Sequence, residues 1–115
     1  MNATRFGLPA MTVEKINGVF ARHPQVKRAV LYGSRAKGNF KNGSDIDLTL
    51  HGEGLVFRDL LRLMDELDEL LLPYTIDLSL FHMIDHAPLR EHIERVGQEF
   101  YHREDAGMTL PRQLA

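Results

Sequence analysis

Asp45 and Asp47 stand one residue apart in the segment SDIDLTLH, and a strand there would send both carboxylates off one face while Ile46 turns the other way. Two like charges held so close raise one another's proton affinity or require a cation, and carboxylate oxygens suit a hard divalent ion. Asp77, in TIDLSLF, has the same phase on a second apolar run, so pairing of the two strands would add a third carboxylate to that face. Upstream, Gly33 and Ser34 close an apolar run and are separated from Asp45 by ten residues. A glycine there permits a tight exit from a strand and lets phosphate oxygens approach backbone N–H groups, while the serine hydroxyl adds a donor. Taken singly, the DxD pair could be a solvated strand face and the glycine–serine pair an ordinary turn. Their occurrence in this order, with Asp77 in phase, points instead to anion and cation chemistry at one site.

These residues need a scaffold, and the apolar spacing supplies one. Residues 26–32, VKRAVLY, become continuously apolar before Gly33, as in a central strand buried on both faces. GSRAKGNFKNGS reads as a loop. Residues 45–50 alternate, with Ile46, Leu48 and Leu50 on one face and Asp45, Asp47 and Thr49 on the other; residues 75–81 alternate in the same phase. Helical spacing is expected after Thr12, a candidate N-cap, where Val13, Ile16, Val19 and Phe20 recur before Pro24. A second helix is predicted over 55–72, with Phe57, Leu60, Leu61, Met64, Leu67 and Leu71 as its apolar stripe and Pro73 as its stop. A third begins near Asp85 or His86, carries Pro88 in its first turn, turns Leu89, Ile93 and Val96 inward and ends at Gly97. GQEFYHR is read as a short edge strand, although a continued helix would also bring Phe100 onto the Leu89 face. The sum is an α/β (α+β) domain: a small mixed β-sheet with helices packed on it.

Composition narrows the range of functions. The chain has 115 residues, 43% hydrophobic and 26% charged, which suits one globular core. A formal net charge of -2 provides no global basic field, so phosphate binding must arise locally and a general nucleic-acid coat protein is disfavoured. There are no cysteines, and hence neither disulfides nor thiolate metal sites. MNATRFGLPAM lacks the apolar run of a signal peptide, and no stretch is long enough to span a membrane. A soluble, cytoplasmic protein is the expectation. Residues 1–11 are expected to form an N-terminal extension, 12–103 the domain and 104–115 a mobile tail.

The remaining polar residues divide into weaker candidates. Arg35, Lys37 and Lys41 lie where they could meet a triphosphate, Arg35 being the one favoured; solvated loop charges are the alternative. Ser44 is expected to orient the loop. His51 shares the parity of Asp45 and Asp47 if the strand runs that far, but a surface role is the simpler reading. Among His82, His86, His92 and His102 no metal-ligand spacing is convincing. Asp65, Glu66, Asp68 and Glu69 read as a solvated helix face.

The order GS, ten residues, DxD, together with the wording GSRAKG and SDIDL, resembles the signature of the DNA polymerase β-type nucleotidyltransferases, and in particular their minimal branch, often paired as antitoxin with a HEPN-domain ribonuclease toxin. The resemblance runs from about Thr12 to Tyr101. It implies the polymerase β-type nucleotidyltransferase fold, two Mg²⁺ ions held by Asp45, Asp47 and Asp77, the last also helping to activate the attacking hydroxyl, and a nucleotide gripped by Gly33 and Ser34. It further implies transfer of a nucleoside monophosphate, AMP from ATP or another triphosphate, to a hydroxyl such as a tyrosine of a HEPN partner. Larger relatives carry a second domain that this chain has no residues to build, so the acceptor should come from a separate molecule, in a hetero-oligomer or with a homodimer. Two other readings remain open: a binding subunit that neutralises a partner by contact alone, and a transferase acting on a small molecule. The base, the acceptor and the oligomeric state are not legible at this level.

Overall fold

The apolar run at residues 29–31 becomes the centre of a four-stranded sheet, because Ala29, Val30 and Leu31 are all buried and only a strand covered on both faces can place three consecutive apolar side chains out of water. A computed structural model describes residues 4–41 and 43–104. A short hairpin of β1 (Thr4–Arg5) and β2 (Leu8–Pro9) leads into α1 (Ala10–Ala21). Then follow β3 (Arg28–Tyr32), the one-turn helix α2 (Ser34–Lys37), β4 (Ile46–His51), α3 (Phe57–Asp68), β5 (Ile76–Leu80), a 3-10 turn at Phe81–Met83, α4 (Ala87–Val96) and β6 (Gln98–His102). The strand order is β5-β4-β3-β6. β3 runs antiparallel to both β4 and β6, whereas β4 and β5 are parallel and joined by a crossover through α3.

One face of this mixed sheet carries Ile46, Leu48, Leu50, Leu78 and Leu80 into a core completed by Val13, Ile16, Val19 and Phe20 of α1 and Leu63 and Leu67 of α3. The other face is largely polar and holds three rows: Tyr32, Asp47 and Asp77; then the apolar Val30 with Thr49 and Ser79; then Arg28 and His51. α4 packs on the sheet at β3, with Ile93 buried. β6 is the edge strand anticipated for GQEFYHR. Arg103, just beyond it, donates to the carbonyls of Phe20, Ala21 and His23, placing a cation on the C-terminal end of α1.

Three local expectations, for the start of α1, the GSRAKG stretch and α3, are corrected. α1 starts at Ala10, with Pro9 as N-cap, so Thr12 is a buried helical residue and not the cap. Residues 4–9 are tied down, since Leu8 is fully buried in the core and Phe6 packs on Phe100. The GSRAKG stretch contains a helical turn, α2, closed by Gly38 in the left-handed conformation. α3 is shorter and rotated: Leu63 and Leu67 are buried, with Leu60 partly so, while Phe57, Leu61, Met64 and Leu71 remain exposed. It ends at Asp68, ahead of Pro73, where Leu70 and Leu71 donate to Leu67 and Asp68 in tightened turns and Leu71 takes φ 54°. The apolar positions of α3 form two stripes, and periodicity alone does not say which faces the sheet. The expected tail from residue 105 onward lies outside the described residues.

Candidate active site

β4 and β5 pair with Asp47 opposite Asp77, so the expected third carboxylate is carried by the adjacent parallel strand in the same row. Residues paired across neighbouring strands project from the same face, which directs both side chains to the polar face. Asp45 precedes β4 with its side chain exposed, Asp47 is half-buried, and Asp77 is exposed on the edge strand. Burial, and then the charges of Asp77 and Asp45, push the Asp47 carboxyl above its ordinary value. Negative charge has therefore been gathered here, and among the described residues no side-chain cation pairs with these carboxylates. Among the described residues no three His, Asp or Glu side chains converge closely enough to hold a metal ion as they stand. The oxygen donors and their register suit a hard divalent ion; the side chains would have to turn inward to enclose one.

Gly33 stands directly against this pair. Its φ of 79° and ψ of -157° belong to a region open almost only to glycine, and a Cβ built there would collide with Asp47 Oδ2. Gly33 thus serves two purposes at once, turning the chain from β3 into α2 and leaving room for a carboxylate. Ser34 starts α2, and its carbonyl accepts from the N–H groups of Gly38 and Asn39.

Arg35 behaves differently from its expected role. It is only 3% exposed. Its Nε and Nη2 donate to the Ser44 carbonyl at 3.1 and 2.9 Å, and Nη1 donates to the Phe6 carbonyl at 2.9 Å. The rings of Phe40 and Tyr74 lie 5.0 and 5.3 Å from its guanidinium carbon. As it stands the side chain faces into the protein and not toward a nucleotide. It ties α2, the N-terminal hairpin and the residue before Asp45 into one unit. A structural arginine and a phosphate-binding arginine look alike in a glycine-rich loop. Ser44 does orient the loop, since its Oγ accepts from the Lys41 N–H at 2.8 Å. Lys37 and Lys41 are exposed.

His51 closes β4 at the end away from the carboxylates, roughly 13 Å along the strand from Asp47 at a rise of about 3.3 Å per residue. It stacks on Phe81, and burial followed by the charges of Arg28 and Arg90 lowers its pKa. Tyr32 was overlooked by sequence reasoning. It is opposite Asp47 across the β3–β4 pair, and burial, then the charges of Asp77 and Asp47, raise its pKa against the opposing effect of a hydrogen bond with Ser79. Its parity, directly before Gly33, could have flagged it. Ser79 in turn bonds Thr49 at 2.9 Å, so hydroxyls continue the polar face beyond the carboxylates.

Residues 14–106 match the polymerase beta, nucleotidyltransferase family. The chain belongs to that family. A candidate protein adenylyltransferase of Methanocaldococcus jannaschii is 45% identical over 58 residues, a match that spans 50% of this chain and 61% of that protein. In solved structures the fold resembles a toxin–antitoxin assembly with AMP-PNP, with a TM-score of 0.65 at 20% identity over 80% of this chain and 74% of that one. It also resembles a complex of a tri-AMPylated HEPN toxin of Shewanella oneidensis with its MNT antitoxin, with a TM-score of 0.60 at 18% identity over 81% and 71% of the two chains. At these identities the two structures establish a common fold. No described helix is long and apolar enough to cross a membrane.

Proposed function

We propose that the chain is a Mg²⁺-dependent nucleotidyltransferase that moves AMP from ATP to a protein hydroxyl, a tyrosine of a HEPN-type toxin, and so acts as an antitoxin in the cytoplasm. The observation that carries this reading is the register of Asp47 with Asp77 beside a glycine whose missing side chain makes room for Asp47. The adenylyltransferase description of the archaeal relative, and the AMP-PNP and AMPylated toxin of the two structural neighbours, support the nucleotide and the acceptor.

In this mechanism Gly33 and Ser34 receive the phosphates, the first through its lack of a side chain and the second through its hydroxyl. The acceptor oxygen attacks the α-phosphorus, the bond from that phosphorus to the bridging oxygen breaks, and pyrophosphate departs. Asp45, Asp47 and Asp77 would hold divalent ions, which when bound acidify the acceptor hydroxyl and neutralise charge on the leaving group. Asp77 would take the hydroxyl proton from the acceptor, and its exposure on the edge strand supports access from solvent. Arg35 acts at a distance by fixing Ser44, and through it the start of the DxD segment.

The test is incubation of the chain and a HEPN-type partner with Mg²⁺ and ATP labelled at the α-phosphate. Label on a partner tyrosine that disappears with Asp45→Asn is expected. Absence of label on the partner, or label indifferent to Asp45→Asn, overturns the reading. Neutralisation of the toxin in cells by an Asp45→Asn chain would assign it to contact alone.

A further inference from the structure

The exposed side of α3 is a feature that nucleotide transfer leaves unused. Phe57 is 55% exposed, Leu61 47%, Met64 39% and Leu71 87%. Isolated apolar residues on a surface are ordinary, but Phe57, Leu61 and Met64, spaced by four and three, fall on one side of the helix as a stripe. Val56, just before the helix, adds to it at 55% exposed. Leu71 is held at φ 54°, a conformation that costs a leucine backbone energy while turning its side chain to water. Such a stripe is expected to be covered in use.

The charges beside it indicate by what. Arg58, Arg62, Asp65 and Glu69 repeat at the same four- and three-residue spacing, one residue out of step, and so line one flank of the stripe. The flank is polarised along the helix, basic in its first half and acidic in its second. All four are exposed, and no hydrogen bond or ion pair within the described residues engages their side chains. A two-fold axis that packs α3 antiparallel against a second α3 brings the same flank of both helices together with the direction reversed. Arg58 and Arg62 then lie against Glu69 and Asp65 of the other copy, twice over. Asp68, which ends the apolar stripe, falls toward the second copy's Arg58.

We propose that this face of α3 is a homodimer interface, two copies packing antiparallel about a two-fold axis near Leu61 and Met64. The charge order is what selects a second copy over an unrelated protein, because a single helix that is basic then acidic along one flank is complementary to itself only when reversed. The interface is apolar at its centre and ionic at its edge, so association weakens with rising salt.

Sedimentation from about 1 μM to about 1 mM, the range in which modest interfaces associate, tests this. The expected result is a concentration-dependent shift from the 13.2 kDa chain to twice that mass. Leu61→Asp should weaken the dimer more than about tenfold with unchanged far-UV circular dichroism. Arg58→Glu with Arg62→Glu in one chain, and Asp65→Arg with Glu69→Arg in another, should each be monomeric alone, and an equimolar mixture should recover the dimer. A wild-type chain that stays monomeric throughout, a dimer indifferent to Leu61→Asp, a mixture that does not recover association, or a HEPN-type partner occupying α3 of an otherwise monomeric chain overturns it.

Discussion

Arg35 and Asp47 belong to the same stretch of chain, and the protein treats their charges in opposite ways. Around Arg35 the charge is answered from within, by two backbone carbonyls and two aromatic rings, and the residue is sealed from water. Around Asp47 burial and two neighbouring carboxylates all act against ionisation. A complete polar cluster contributes to folding, whereas an uncompensated one costs stability and persists where function requires it. The arginine clamp is therefore finished without a ligand, and the carboxylate row is not.

The difference can be broken from either side. Asp47→Asn should lower transfer of labelled AMP by more than about 100-fold, in the manner of a lost metal ligand, with the fold retained by circular dichroism. Arg35→Ala should instead act on folding, because the Ser44 and Phe6 carbonyls lose their donors in a buried site. A loss of about 3 kcal/mol is expected, or a fall in Tm of more than about 10 °C, read by calorimetry. Arg35→Lys should recover little, since an ammonium cannot reproduce the two-pronged contact with Ser44.

Gly33→Ala joins the two regions. The new methyl group meets Asp47 Oδ2 and the backbone is strained, so a cost of about 1–3 kcal/mol should appear as a lower Tm, together with loss of transfer as the carboxylate is displaced. The smallest effect sharpens the contrast through pH. The folded-state pKa of Asp47 lies above its ordinary value, so the folded state holds that proton more tightly, and ionisation costs stability as pH rises through the folded pKa. In metal-free protein Asp47→Asn should accordingly raise Tm by a few degrees at neutral pH. The gain should vanish below the ordinary carboxylate value of about 4, where wild-type Asp47 is protonated in both states.

Much of the site was legible because strands have a period of two. The phase of Asp45, Asp47 and Asp77 followed from alternation, and the apolar run at residues 29–31 identified the strand that delivers Gly33. The parallel pairing of β4 with β5 was open to inference once a helix separated them. Arg35 was not legible, since its burial depends on Phe6 and Tyr74, which are distant in sequence and meet it only in the folded chain. Nor was the rotation of α3. Leu60, Leu61, Leu63, Met64 and Leu67 satisfy two helical faces, and only packing against α1 and β5 selects Leu63 and Leu67.

The carboxylate row is tested most directly by electron paramagnetic resonance of Mn²⁺ titrated into the chain with AMP-PNP, comparing wild type with Asp47→Asn and Asp77→Asn. Bound Mn²⁺ in the wild type and its loss in both variants is the predicted result. Binding that survives both substitutions, or no bound Mn²⁺ in the wild type, would contradict a metal site built from these two strands.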